Sequence, residues 1–171
     1  MDAGNTSSQP AAPQHRLSVE RQSERELVVT RTIKAPPRTV FKAWTDAALF
    51  QRWWVPQSFG LALLSCELDV RVGGSYRLVF SHPDAPQGMA FHGRYLEVVP
   101  PARLVWTNDE AGGSGQVTTV TFEEQPAGHT LLTVHDLYPS KEALDAEIAA
   151  GSTGWNDETF DQLDALVGPM G

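Results

Sequence analysis

Residues 88–108, GMAFHGRYLEVVPPARLVWTN, decide the fold. Two runs rich in β-branched and aromatic residues, 88–99 and 103–108, flank Pro100-Pro101. Proline lacks a ladder donor and fixes φ, so the pair ends a strand. The break is too short for a crossover helix, so the two runs pair as an antiparallel hairpin. Moving outward in both directions, the pattern repeats. Residues 61–70, 75–81, 116–124 and 130–136 read as strands, broken at Gly73-Gly74, 82–87, 109–115 and 125–129. With the β-branched run 26–34 this predicts a sheet of about seven antiparallel strands. Tyr76, Leu78 and Phe80 fall on one face, with Ser75, Arg77 and Ser81 on the other, the mark of a sheet covered on one side.

The cover must be helical, and both ends of the domain supply it. Pro37 suits the first turn of a helix, and Val40, Phe41 and Trp44 form its apolar stripe. Asp46 reads as the N-cap of a second short helix carrying Leu49, Phe50 and Trp53, closed by Pro56. After the last strand, a helical pattern opens at Pro139 or Ser140 and is interrupted at Gly151–Gly154. It resumes through Trp155, Phe160, Leu163, Leu166 and Val167 and stops at Gly168-Pro169. The broken helix predicts a first part free to act as a movable lid, while Trp155–Val167 stays packed. The class is α+β, with one domain at 24–168, a disordered tail at 1–23 and a short end at 169–171.

Composition excludes several roles. The 171 residues carry 13 basic and 21 acidic side chains, a formal charge of −8, which opposes nucleic acid and anionic membranes as partners. Cys66 is the only cysteine, so no internal disulfide exists; on the alternation Leu64, Cys66, Leu68, Val70 it reads as a buried structural thiol. No run approaches the ~18 apolar residues of a membrane span, and 1–23 lacks the apolar core of a signal peptide. A cytoplasmic location is expected. His82, His92, His129 and His135 lack metal-ligand spacing, so no metal is expected, and no cofactor is called for. Gly73-Gly74 reads as a tight hairpin, because no Lys-Ser/Thr phosphate cradle follows it.

The order of strand, two short helices, meander and C-terminal helix resembles the START-like, Bet v-like helix-grip fold. Several motifs sharpen the resemblance: APPRTVFKAW at 35–44, RWWVP at 52–56, DVRVGGSY at 69–76, the hairpin 93–107 and Gly154-Trp155. Together they resemble the bacterial branch of the family named after the activator of the heat-shock-protein-90 ATPase, within the SRPBCC superfamily. The resemblance implies a curved sheet wrapped on a long C-terminal helix, and relatives that bind lipids or hormones or act on polyketides. Eukaryotic activators of that chaperone carry a separate N-terminal docking domain. The tail at 1–23 is too short for one, so chaperone activation is not expected.

The main expectation is non-enzymatic binding of a small hydrophobic or aromatic molecule in a cavity between sheet and C-terminal helix. Its candidate lining is Trp53, Phe59, Tyr76, Phe80, Phe91, Trp106, His135 and Trp155. A cyclase-like acid/base enzyme in the same cavity is the alternative. Glu97, which shares strand parity with Phe91, Gly93 and Tyr95, and His135 are its candidate groups. A third reading is a chaperone-related or regulatory interaction module using the outer surface. A homodimer stays open.

Overall fold

The computed structural model describes residues 17–55, 62–82, 85–109, 115–149 and 153–170. Alternating apolar residues build strands β1 (Ser18–Arg21), β2 (Glu26–Ile33), β3 (Ala62–Leu68), β4 (Ser75–His82), β5 (Ala85–Val99), β6 (Arg103–Asn108), β7 (Gln116–Gln125) and β8 (His129–Leu137). They form one eight-stranded antiparallel sheet in the order β1-β2-β8-β7-β6-β5-β4-β3. The helices are α1 (Pro37–Thr45), α2 (Ala47–Phe50), α3 (Lys141–Ala149) and α4 (Thr153–Val167). The helix-grip architecture expected from the sequence is present, with one strand more.

The extra strand is β1, inside the segment expected to be a disordered tail. Its four side chains are all exposed, so no apolar alternation marks it. Backbone pairing of Ser18–Arg21 with Leu27–Thr30 holds it instead. Arg21 adds an ion pair to Asp145 at 2.8 Å. The second helix is also shorter than its apolar pattern, ending at Phe50, so Trp53 and Trp54 lie in the turns that follow. Pro56 lies outside the described residues. The Asp46 cap is present, its carboxylate accepting from the backbone N–H groups of Ala48 and Leu49 at 2.9 and 3.3 Å.

The core forms where α1 and α4 meet the inner face of the sheet. Val29, Ile33, Leu104, Val120 and Leu132 from the strands pack with Val40, Trp44, Phe160, Leu163 and Val167. Arg31 stands at an inward position of β2 and is only 4 % exposed. Its guanidinium meets Asp161 at 2.6 Å and Asp164 at 3.7 Å, and Asp164 also accepts from the Lys34 backbone N–H at 2.8 Å. These contacts explain the charge interrupting the apolar stripe of β2: α4 supplies the carboxylates that a buried cation requires. Gln162 donates to the carbonyls of Trp53 and Val55, both at 2.9 Å, tying α4 to the corner after α2.

Helix α3 is fastened far less. Ser140 Oγ accepts from Ala143 N–H at 3.1 Å, opening the helix as expected. Leu144 is its single buried residue, in a satellite cluster with Leu27 and Tyr138. α4, by contrast, buries Phe160, Leu163 and Val167 in the main core.

Candidate functional site

Four of the expected lining residues lie on the inner face as the strand alternation requires. Tyr76 and Phe80 come from β4, Phe91 from β5 and Trp106 from β6. Phe80 and Phe91 meet at 5.2 Å between ring centroids, and Tyr76 and Trp106 at 6.3 Å. Trp44 connects the second pair to the core, 5.8 Å from Trp106.

Trp53, expected among the lining residues, is buried, and its neighbour Trp54 is the more exposed of the two. Trp53 is the plug: it is 1 % exposed, packs on Trp44 at 4.8 Å, and donates its indole N–H to the Ala43 carbonyl at 3.0 Å. It belongs to the filled core rather than to a ligand wall. Trp54 is the half-buried partner, in edge contact with Phe91 at 5.2 Å and Phe80 at 6.2 Å. Phe59 lies outside the described residues, as does the side chain of Trp155.

Both acid/base candidates are on the wrong face. Glu97 is half exposed and pairs with Arg103 at 3.0 Å. Its parity with Tyr95 is broken by a bulge, because the register of β5 on β6 slips between Tyr95 and Glu97. The extra residue turns Glu97 outward and Val98 inward. His135 alternates with the buried Leu132 and Val134, so it faces outward, where its Nε2 lies 2.8 Å from Glu26 Oε1. That contact and the Ser23 hydroxyl hold the Glu26 carboxyl below its ordinary value.

A second bulge corrects the reading of β3. The register on β4 slips between Leu63 and Ser65, so Leu64 faces solvent while Leu63, Cys66 and Leu68 turn inward. Cys66 is half-buried, and burial pushes its thiol up to about 11, which suits an unreactive packing role.

Sequence reasoning missed a polar row on the inner face. Thr118 and Asp136 lie opposite each other on β7 and β8, and Asn108 of β6 is two residues beyond Trp106, the partner of Thr118. Asn108 Nδ2 donates to Thr118 Oγ1 at 2.8 Å, and the Thr118 hydroxyl donates to Asp136 Oδ1 at 2.5 Å. Gln116 Nε2 also donates to Asp136 Oδ1, at 3.3 Å. At the other end, the Tyr76 hydroxyl lies 2.7 Å from the Thr107 carbonyl and 3.0 Å from Asn108 Oδ1. The row marks the seam between the main core, which holds Val134 and Val120, and the satellite cluster of Leu27, Tyr138 and Leu144. A signal for it exists in the sequence: Asp136 continues the inward series Leu132, Val134, so a carboxylate stands at a core position.

Burial holds the Asp136 carboxyl above its ordinary 3.8, against the hydrogen bonds from Thr118 and Gln116 that pull it down. His135, on the opposite face, lowers it slightly, and Glu147 of α3 adds to the rise. A raised folded-state value means that this group's stabilising contribution is complete below about pH 4 and is lost as pH rises through that value. Asp136→Asn keeps the acceptor at Oδ1 and removes the charge. The variant is therefore expected to melt above the parent at pH 8, with the gap closing by pH 3, as thermal unfolding at both pH values would show.

A different concavity lies on the outer face of β4 and β5, about 570 Å³ in volume and lined by Glu67, Ser75, Arg77, His92, Arg94 and Asp109. Its charges are mixed and it is open to solvent. Among the described residues, no group of three or more His, Cys, Asp or Glu is placed to hold a metal ion, and no helix is long and apolar enough to cross a membrane.

Residues 34–168 match the family described as Activator of Hsp90 ATPase homolog 1-like protein, and the chain belongs to it. A crystal structure from Chromobacterium violaceum is 31% identical, covering 85% of this chain and 99% of that one, with a TM-score of 0.72. One from Rhodobacter sphaeroides is 23% identical, covering 91% and 100%, with a TM-score of 0.82, and shows the same fold. So does the AHSA1-like protein of Aeromonas hydrophila, at 24% identity, 81% and 92% coverage and a TM-score of 0.65. No curated protein matches the chain.

Proposed function

We propose that this member of the family is a non-enzymatic binding protein for a small apolar or aromatic molecule, held between the inner face of the sheet and the C-terminal helices. The observation that carries the reading is incomplete burial of inward apolar side chains. Trp54, Leu63, Cys66, Phe91 and Trp106 pack against the core yet stay half-buried, while the strands under α4 are closed. Half-buried aromatics beside a few placed polar groups are what a small-molecule site requires. The cyclase-like alternative loses the residues it was built on, because Glu97 and His135 face outward. Interaction with a chaperone is the lesser reading, since it rests on the family's name alone.

Thermal shift against a library of lipids and aromatic metabolites tests the proposal. A ligand at 100 times its Kd stabilises by about 2.7 kcal/mol. At roughly 2–4 °C per kcal/mol for a chain of this size, the expected rise is several degrees. Trp106→Ala and Phe91→Ala should each lose most of that rise. A hit whose shift is the same in both variants would place the ligand elsewhere.

A further inference from the structure

The direction of the hydrogen bonds in the polar row carries information about what the site accepts. Tyr76 has one hydroxyl proton, offered to the Thr107 carbonyl or to Asn108 Oδ1. The Asn108 amide donates to Thr118, and Thr118 donates onward. The donors of the row therefore run toward β8, and the row ends on an acceptor. That acceptor, Asp136 Oδ1, already takes two hydrogen bonds, from Thr118 and Gln116. Asp136 Oδ2 has none among the described residues, and the side chain is only half-buried.

The charges around it leave the position uncompensated. Leu27 flanks Asp136 from β2 and Thr118 from β7, both neutral. The nearby charge from α3 is Glu147, of the same sign. Arg31 is the inward cation of β2, and Asp161 and Asp164 of α4 already occupy it. His135 is committed to Glu26 on the opposite face. A half-buried carboxylate without a cation leaves an interaction for a ligand to complete. A second anion there meets repulsion.

We infer that Asp136 Oδ2 is the polar anchor of the interior site and selects ligands whose apolar body ends in a hydrogen-bond donor, an amine before an alcohol, and rejects carboxylates. The inference rests on the interior-binding reading and adds the chemical class. Tyr76, Asn108 and Thr118 act as positioning residues, holding the carboxylate by its Oδ1 through the chain of hydrogen bonds that ends at Thr118.

The test uses two matched series: 1-naphthylmethylamine, 1-naphthalenemethanol and 1-naphthoate, and decylamine, decanol and decanoate. Binding to the full chain is measured by calorimetry at pH 8. The expected order is amine, then alcohol, then carboxylate, with the amine at least tenfold tighter than the carboxylate. Asp136→Asn, which preserves the acceptor at Oδ1, should erase the amine's advantage and leave the alcohol within about threefold. Thr118→Val should weaken the amine more than the alcohol. If the carboxylate binds as well as the amine, or if Asp136→Asn leaves the order unchanged, the assignment of Asp136 fails while interior binding stands. If no member of either series binds, the interior-binding reading fails with it.

Discussion

Gly93→Ala is expected to destabilise the protein by about 3 kcal/mol or more, lowering Tm by roughly 6–12 °C. A Cβ on Gly93 would lie 2.0 Å from the Thr107 carbonyl oxygen and 3.0 Å from its hydroxyl. The obstruction is backbone, so no side-chain rotation relieves it. β5 and β6 would have to part where Thr107 also holds three other contacts: its carbonyl lies 2.7 Å from the Tyr76 hydroxyl, and its own hydroxyl accepts from the Arg94 backbone N–H and donates to Asp109. The substitution should therefore weaken the sheet and disturb the polar row together. Gly73→Ala is the control. Gly73 has φ +85, and nothing lies within 4 Å of the place a Cβ would take. Its cost is the left-handed conformation alone, about 1–2 kcal/mol. Urea unfolding of both variants separates the two causes. Equal, small losses would mean that β5 and β6 are not packed as closely as described.

Trp53→Ala and Trp54→Ala should differ in kind. Removing Trp53 takes away a buried ring packed on Trp44, Phe50 and Phe160 and the hydrogen bond to Ala43. Large-to-small changes of this sort cost about 3–5 kcal/mol, roughly 6–20 °C in Tm here. Trp54 is only half-buried, so its truncation should cost clearly less stability and weaken ligand binding more. Thermal unfolding with and without a bound ligand distinguishes them. If Trp54→Ala proved the more destabilising of the two, the roles assigned to the pair would be reversed.

Much of this architecture is written in local chemistry. The Pro100-Pro101 hairpin, the Asp46 cap, the helix opening at Ser140 and the inward set Tyr76, Phe80, Phe91 and Trp106 follow from turn residues and a period of two. The failures share a cause. Counting parity puts Leu64 and Glu97 on the inner face, and a bulge intervenes in each strand. A bulge adds one residue without a compositional mark, so every later position changes face. β1 escapes pattern reading because its side chains bury nothing and only its backbone is committed. Asp136 is legible by parity in a strand that has no bulge. Its neighbour His135 draws attention by residue type, yet it is the aspartate that occupies the inward position.

The central claim is that the ligand site lies on the inner face between Trp106 and Asp136. Titrating ¹⁵N-labelled protein with 1-naphthylmethylamine and following side-chain resonances tests it most directly. Shifts concentrated at the indole N–H of Trp106 and Trp54 and the side-chain amides of Asn108 and Gln116 are the predicted result. Shifts confined to His92, Arg77 and Arg94, around the outer concavity, would contradict it.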